Sequence, residues 1–135
     1  MKLSQAEIDQ FNSEGYLVAC GALHDRDLDP VIAEYEAYID RRAEELVDQG
    51  HVKQTYANEP FERRLIGICQ EYGDIYGELD IMHFRGRACF EFLSNPNLID
   101  LVEGLVGPEI TCSPIQHVRP KLPAGMTPGL SLIHI

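Results

Sequence analysis

Ser4-Gln5-Ala6-Glu7-Ile8-Asp9-Gln10-Phe11-Asn12-Ser13-Glu14-Gly15-Tyr16-Leu17-Val18-Ala19-Cys20-Gly21 places a capped helix directly before an apolar run of strand length. Ser4 and Glu7 have the spacing of a capping box, in which the serine oxygen takes a first-turn N–H and the glutamate reaches back to the cap. Ile8 and Phe11 then share a face, and Gly15 offers a left-handed stop, so the spacing predicts a helix over 5–14. Residues 16–20 follow as a compact apolar run closed by Gly21, the pattern of a strand. A helix running into a strand this early predicts an α+β domain.

Further along, Asp29-Pro30 has the form of a helix start, an acid at the cap and proline at the first helical position. Val31, Ile32, Tyr35, Tyr38, Ile39, Leu46 and Val47 recur at three- and four-residue spacing up to Gly50, which predicts a long helix with one buried stripe. Pro60 introduces a third helical pattern through Phe61, Leu65, Ile66 and Cys69 to about Tyr72. Glycines and acids over 74–80 read as a loop. Two more helices are expected, near 86–93 and after the Asn95-Pro96 break, before Gly107-Pro108. Ile110, Cys112, Pro114, Gln116 and Val118 alternate with Thr111, Ser113, Ile115 and His117, which is strand periodicity, with the proline confining it to an edge or a bulge.

The chain has 135 residues, a size at which a single domain buries roughly two-thirds of its unfolded surface. Its 44% hydrophobic and 24% charged content is that of a globular protein. Twenty-two acids against eleven bases give a net charge of -11, and thirteen of the acids lie in the first sixty residues. Such a field repels phosphate backbones and anionic lipid, so nucleic acid and membrane are not expected partners. From Ile110 onward the only charged side chains are Arg119 and Lys121, a locally basic corner suited either to solvent or to an anionic ligand. The four cysteines are too widely spaced for a metal knuckle, and no signal peptide or long apolar run is seen. Reduced thiols in a cytoplasmic protein are the expectation.

No residues of this chain form a recognisable catalytic set. Asp25, Asp27, Asp29 and Glu36 imitate calcium-loop spacing, but Pro30 stands where that loop needs glycine, so the acids read as helix N-terminal charges. His24, His51, His83, His117 and His134 form neither a His-x-Asp/Glu pair nor a zinc-protease motif, and no phosphate-binding or nucleophile-elbow pattern occurs. Arg85-Gly86-Arg87 offers two guanidinium groups, whose use is either a carboxylate clamp or salt bridges to the many acids.

The capped N-terminal helix with Gly15-Tyr16-Leu17-Val18, the long acidic helix, the passage Leu101-Val102-Glu103-Gly104-Leu105-Val106-Gly107-Pro108 and the strand-like segment ending in Arg119-Pro120-Lys121-Leu122-Pro123 together resemble the phytanoyl-CoA dioxygenase family, over nearly the whole chain to about Gly129. The resemblance implies an N-terminal helical layer plus the first strands of a double-stranded β-helix, the cupin-like jelly roll. It also implies an oxidoreductase that uses Fe(II), 2-oxoglutarate and O₂ to hydroxylate a small organic substrate, with iron on two histidines and a carboxylate. The first two of those ligands belong to a His-x-Asp motif placed shortly after the Lys-x-Pro loop, and none of the family's ligands can be matched here. What transfers is a 2-oxoglutarate contact at Gln116 or His117, according to a one-residue shift in the match, and Lys121, the lysine before the proline-rich turn, in a positional role.

The last six residues, Leu130-Ser131-Leu132-Ile133-His134-Ile135, read as the opening of another strand. They also spell one reading frame of a sequencing-library adapter. The expected organisation is therefore 1–129 as the N-terminal part of a dioxygenase-like domain and 130–135 as a non-native tail. On this reading Fe(II) and 2-oxoglutarate belong to the intact parent, and this piece is inactive, binds neither tightly and contains no metal or catalytic residue. The other reading is a self-contained, non-enzymatic α+β interaction module whose acidic helix faces a basic partner.

Overall fold

The computed structural model describes residues 2–113, 115 and 117–123. Among them are six helices: α1 (Gln5–Glu14), α2 (Asp25–Asp48), α3 (Phe61–Glu71), α4 (Ile75–Glu78), α5 (Arg87–Phe92) and α6 (Pro96–Val106). No strand occurs among the described residues, which corrects the expected α+β class and the expected first jelly-roll strands. A strand is defined by a ladder of bonds to a partner, and alternation along one segment cannot supply the partner. Residues 16–19 make no backbone bond to another described segment, and Tyr16 and Val18 stand exposed. The same holds for the described part of 110–118, where Ile115 is 67% exposed.

The described residues form two compact units, those within 2–34 and 85–115 and those within 35–84 and 117–123; α2 passes from the first to the second after Glu34. In the first, α1 has the expected bounds. Ser4 N donates to Glu7 Oε2 at 2.7 Å and Glu7 N donates to Ser4 Oγ at 3.4 Å. At the other end Gly15 takes φ 78°, where glycine has no Cβ penalty, and its N–H closes onto Phe11 O. Helix α2 begins five residues earlier than the Asp29-Pro30 signal suggests. The N–H of Asp27 bonds to His24 O and its carboxylate accepts from His24 N at 2.9 Å, which starts the helix and leaves Pro30 inside it. So near the start, the missing proline N–H removes only one early intrahelical bond.

Asp27 also receives the side-chain amides of Asn95 at 3.1 Å and Asn97 at 2.9 Å. Asn95 in turn caps α6, its Oδ1 accepting from Asn97 N and Leu98 N. The backbone of His24 and the Asn95 amide together hold the Asp27 carboxyl down to about 2. A second clamp of this kind starts α5: the Glu34 carboxylate accepts from Ala88 N and Cys89 N, each at 3.0 Å. A Cβ at Gly86 would stand 2.0 Å from Glu34 Oε2, so a larger residue there would push that carboxylate off the start of α5.

The second unit is built around a core. Tyr35, Ile39, Ala43 and Leu46 line the inner face of α2, Leu65 and Ile68 that of α3, and Val52, Ile75 and Leu79 complete the cluster, all buried. Residues 74–80, expected as loop, contain the one-turn α4, because Ile75 and Leu79 fill the space beside α3. Helix α2 closes with His51 N on Leu46 O and Gly50 N on Val47 O, a Schellman motif. Arg64, 7% exposed, is neutralised by Asp40 and donates Nε to Thr55 O at 3.1 Å, so a charge stays inside without an unmet donor. Tyr56 lies over Gly67, where a Cβ would come within 2.5 Å of its ring, and its hydroxyl bonds Glu71.

Candidate functional site

Two of the three residues singled out by the family resemblance fall on one segment of the second unit, residues 117–123. His117 Nδ1 meets Asp80 Oδ2 at 2.9 Å. Burial pushes the Asp80 carboxyl up, but the Met82 N–H and the His117 ring more than reverse this, leaving it below the ordinary aspartate value. Lys121 lies four residues on, exposed at the edge of an apolar cavity of about 170 Å³. Gln116 lies outside the described residues.

The cavity owes its shape to the helix periodicity. Tyr35 and Ile39, one turn apart on α2, and Phe61 and Leu65, one turn apart on α3, form two walls, and Leu79 closes the floor. Val118, Pro120 and Leu122 cover it from the 117–123 segment, which His117 pins to Asp80. The Tyr35 hydroxyl is committed to Leu79 O at 3.1 Å. Glu62 and Lys121 are the two charged residues on the rim.

A second, more open concavity of about 400 Å³ lies beside Tyr38, Asp74, Glu78 and His83. Its carboxylate is already engaged. Arg42 grips Glu78 with two bonds, Nε to Oε2 at 2.7 Å and Nη2 to Oε1 at 2.9 Å, and Tyr38 Oη donates to Oε2 at 3.2 Å. The Arg42 guanidinium holds the Glu78 carboxyl below its usual range, while burial and then the Glu78 charge push the Tyr38 hydroxyl up. An acid held ionised by a forked cation is a brace, poorly placed for proton transfer near neutral pH.

For iron and 2-oxoglutarate the donor set decides. Among the described residues no three His, Cys, Asp or Glu side chains converge on a metal position. His117 has a partner in Asp80, and that pair supplies two groups where a facial triad needs three. 2-Oxoglutarate has two carboxylates, whereas the cavity lining offers one cation and one acid. The described residues therefore do not fit the pair of cofactors. Cys69 adds no reactive thiolate, since burial pushes its thiol up to about 11. The Arg85-Gly86-Arg87 group resolves in part into an ion pair of Arg87 with Glu91, Nε to Oε1 at 2.7 Å.

Sequence reading did not single out Asp80, Glu62 or the cavity walls. Asp80 sat in an apparent loop, and Leu65 and Ile39 looked like ordinary core positions, so only tertiary proximity separates them from their neighbours. No helix among the described residues is long and apolar enough to cross a membrane. No family model matches the chain, and neither a curated protein nor a solved structure does.

Proposed function

We propose that this chain is part of a phytanoyl-CoA-dioxygenase-like Fe(II)/2-oxoglutarate oxygenase acting on a small organic substrate, and that the residues present here do not catalyse by themselves. The observation that carries the reading is the ordered succession of passages in the sequence. It runs from Ile8-x-x-Phe11-x₃-Gly15-Tyr16-Leu17-Val18, through Leu101-Val102-x-x-Leu105-Val106-Gly107-Pro108, to Lys121-x-Pro123. Two features support it. The first two passages fall on α1 and α6 with their glycine stops at Gly15 and Gly107, and the first unit leaves Phe90 on α5 and Val106 on α6 exposed, as helices meant to cover another layer do, along with Tyr16 and Val18 after α1. When bound in the parent, the iron and 2-oxoglutarate supply O₂ activation; this chain's part is to present the helical layer.

Two measurements test the two halves separately. Incubated with Fe(II), 2-oxoglutarate and O₂, the chain is expected to form no succinate and to bind iron without stoichiometry; turnover or tight one-to-one iron overturns the inactivity. Reading the coding DNA contiguous with Gly129 is expected to show a His-x-Asp motif within about thirty codons, and its absence overturns the iron-dependent activity in favour of a degenerate oxygenase that has lost its iron.

The rival reading, an acidic interaction module, draws on the same exposed residues and on the charge of -11. It expects a monodisperse protein with a single cooperative thermal transition. The oxygenase reading expects self-association through the exposed apolar residues and strong binding of a hydrophobic dye.

A further inference from the structure

We propose that the cavity between α2, α3, Leu79 and the 117–123 segment binds a small monocarboxylate with a compact ring-sized apolar body. The proposal goes beyond the oxygenase reading and does not depend on it. At about 170 Å³ the space is close to the ~150 Å³ apolar cavities that accept a benzene-sized ring. Its walls are hydrocarbon and already in place, because Tyr35, Ile39, Leu65 and Leu79 are all buried by the core around them. A ring entering it gains apolar contact without reorganising those residues.

The charge of the ligand follows from the rim. Lys121 makes no ion pair among the described residues, and the neighbouring charged residue on the same segment, Arg119, is also basic. In a chain of net charge -11 an unengaged cation beside a hydrocarbon pocket selects an anionic head over a cationic one. Glu62, also on the rim, repels a second carboxylate, which favours a monoanion over a dicarboxylate such as 2-oxoglutarate. The Tyr35 hydroxyl already donates to Leu79 O, so orientation is left to Lys121.

The test is a nuclear magnetic resonance titration of the methyl-labelled chain with benzoate, toluene, benzylammonium and 2-oxoglutarate in parallel. Benzoate is expected to shift the Ile39, Leu65 and Leu79 methyls saturably with a Kd of about 1 mM, as nine heavy atoms allow. Lys121→Met, a surface change that leaves the core intact, is expected to weaken benzoate about fivefold and leave toluene unchanged. Equal affinity for benzoate and toluene, or for the Lys121→Met and parent chains, overturns the proposal. So does tighter binding of benzylammonium or 2-oxoglutarate, or the absence of shifts at those three methyls.

Discussion

The two units of this chain are held by different means. Among the described residues the second buries nine hydrophobic side chains, from Tyr35 to Leu79, and one charge, Arg64, which is paired. In the first, the buried hydrophobic residues among those described are Ala22 and Cys89 alone, while Phe90 and Val18 are 71% and 72% exposed. What fixes the first unit locally is polar: Ser4 with Glu7, Asp27 with Asn95 and Asn97, and Glu34 with the start of α5. Hydrogen bonds of this kind set geometry sharply but add little net free energy each, whereas buried area is the main driving force for folding. The contrast teaches that well-defined helix starts do not imply a stable unit.

The most disruptive way to probe the contrast is Leu46→Ala. Leu46 is fully buried in the second unit, and its truncation is expected to cost about 3 kcal/mol, read as faster amide exchange across α2 and α3. An effect below about 1 kcal/mol would mean the second unit has no tight core. Next is Gly67→Ala. The added Cβ meets the Tyr56 ring at 2.5 Å, so the ring must leave α3 and its bond to Glu71; a loss of about 2 kcal/mol is expected in urea unfolding followed by tyrosine fluorescence.

The third prediction concerns the polar side. Asp27 titrates lower folded than unfolded, so its contribution is complete above its ordinary value of 3.8 and is lost as the pH falls towards about 2. In the Asp27→Asn variant this acid dependence should vanish from the exchange rates of α6. A variant whose α6 still loosens over the same pH range would show that another carboxyl is responsible. The smallest effect is expected for Phe90→Ser. Its ring is mostly in solvent, so stability should change by less than about 0.5 kcal/mol while dye binding falls. A large loss of stability would show that Phe90 packs in solution.

Local chemistry made several boundaries legible. The capping box and Gly15 delimit α1, Pro60 begins α3, and Asn95-Pro96 with Gly107 bracket α6, each because the residues that cap a helix lie within a turn of it. Of the site, the sequence pointed to the 117–123 segment through His117 and Lys121, but gave no sign of Asp80 or of the cavity, whose members lie up to about ninety positions apart.

Sequence by itself thus determined the acidic charge, the helix punctuation and the apolar stripe on α2, all properties of neighbouring residues. Tertiary structure decided the rest. Residues 16–20 are an apolar run of strand length and 110–118 have strand periodicity, but neither finds a strand partner among the described residues, and a sheet cannot form from one edge. Glu34, Arg42 and Asp27 look like surface charges on α2, yet each is claimed by a group at least thirty-six positions away, at Ala88, Glu78 and Asn95. Pairing of that kind depends on where the chain brings distant residues together, which no local pattern encodes.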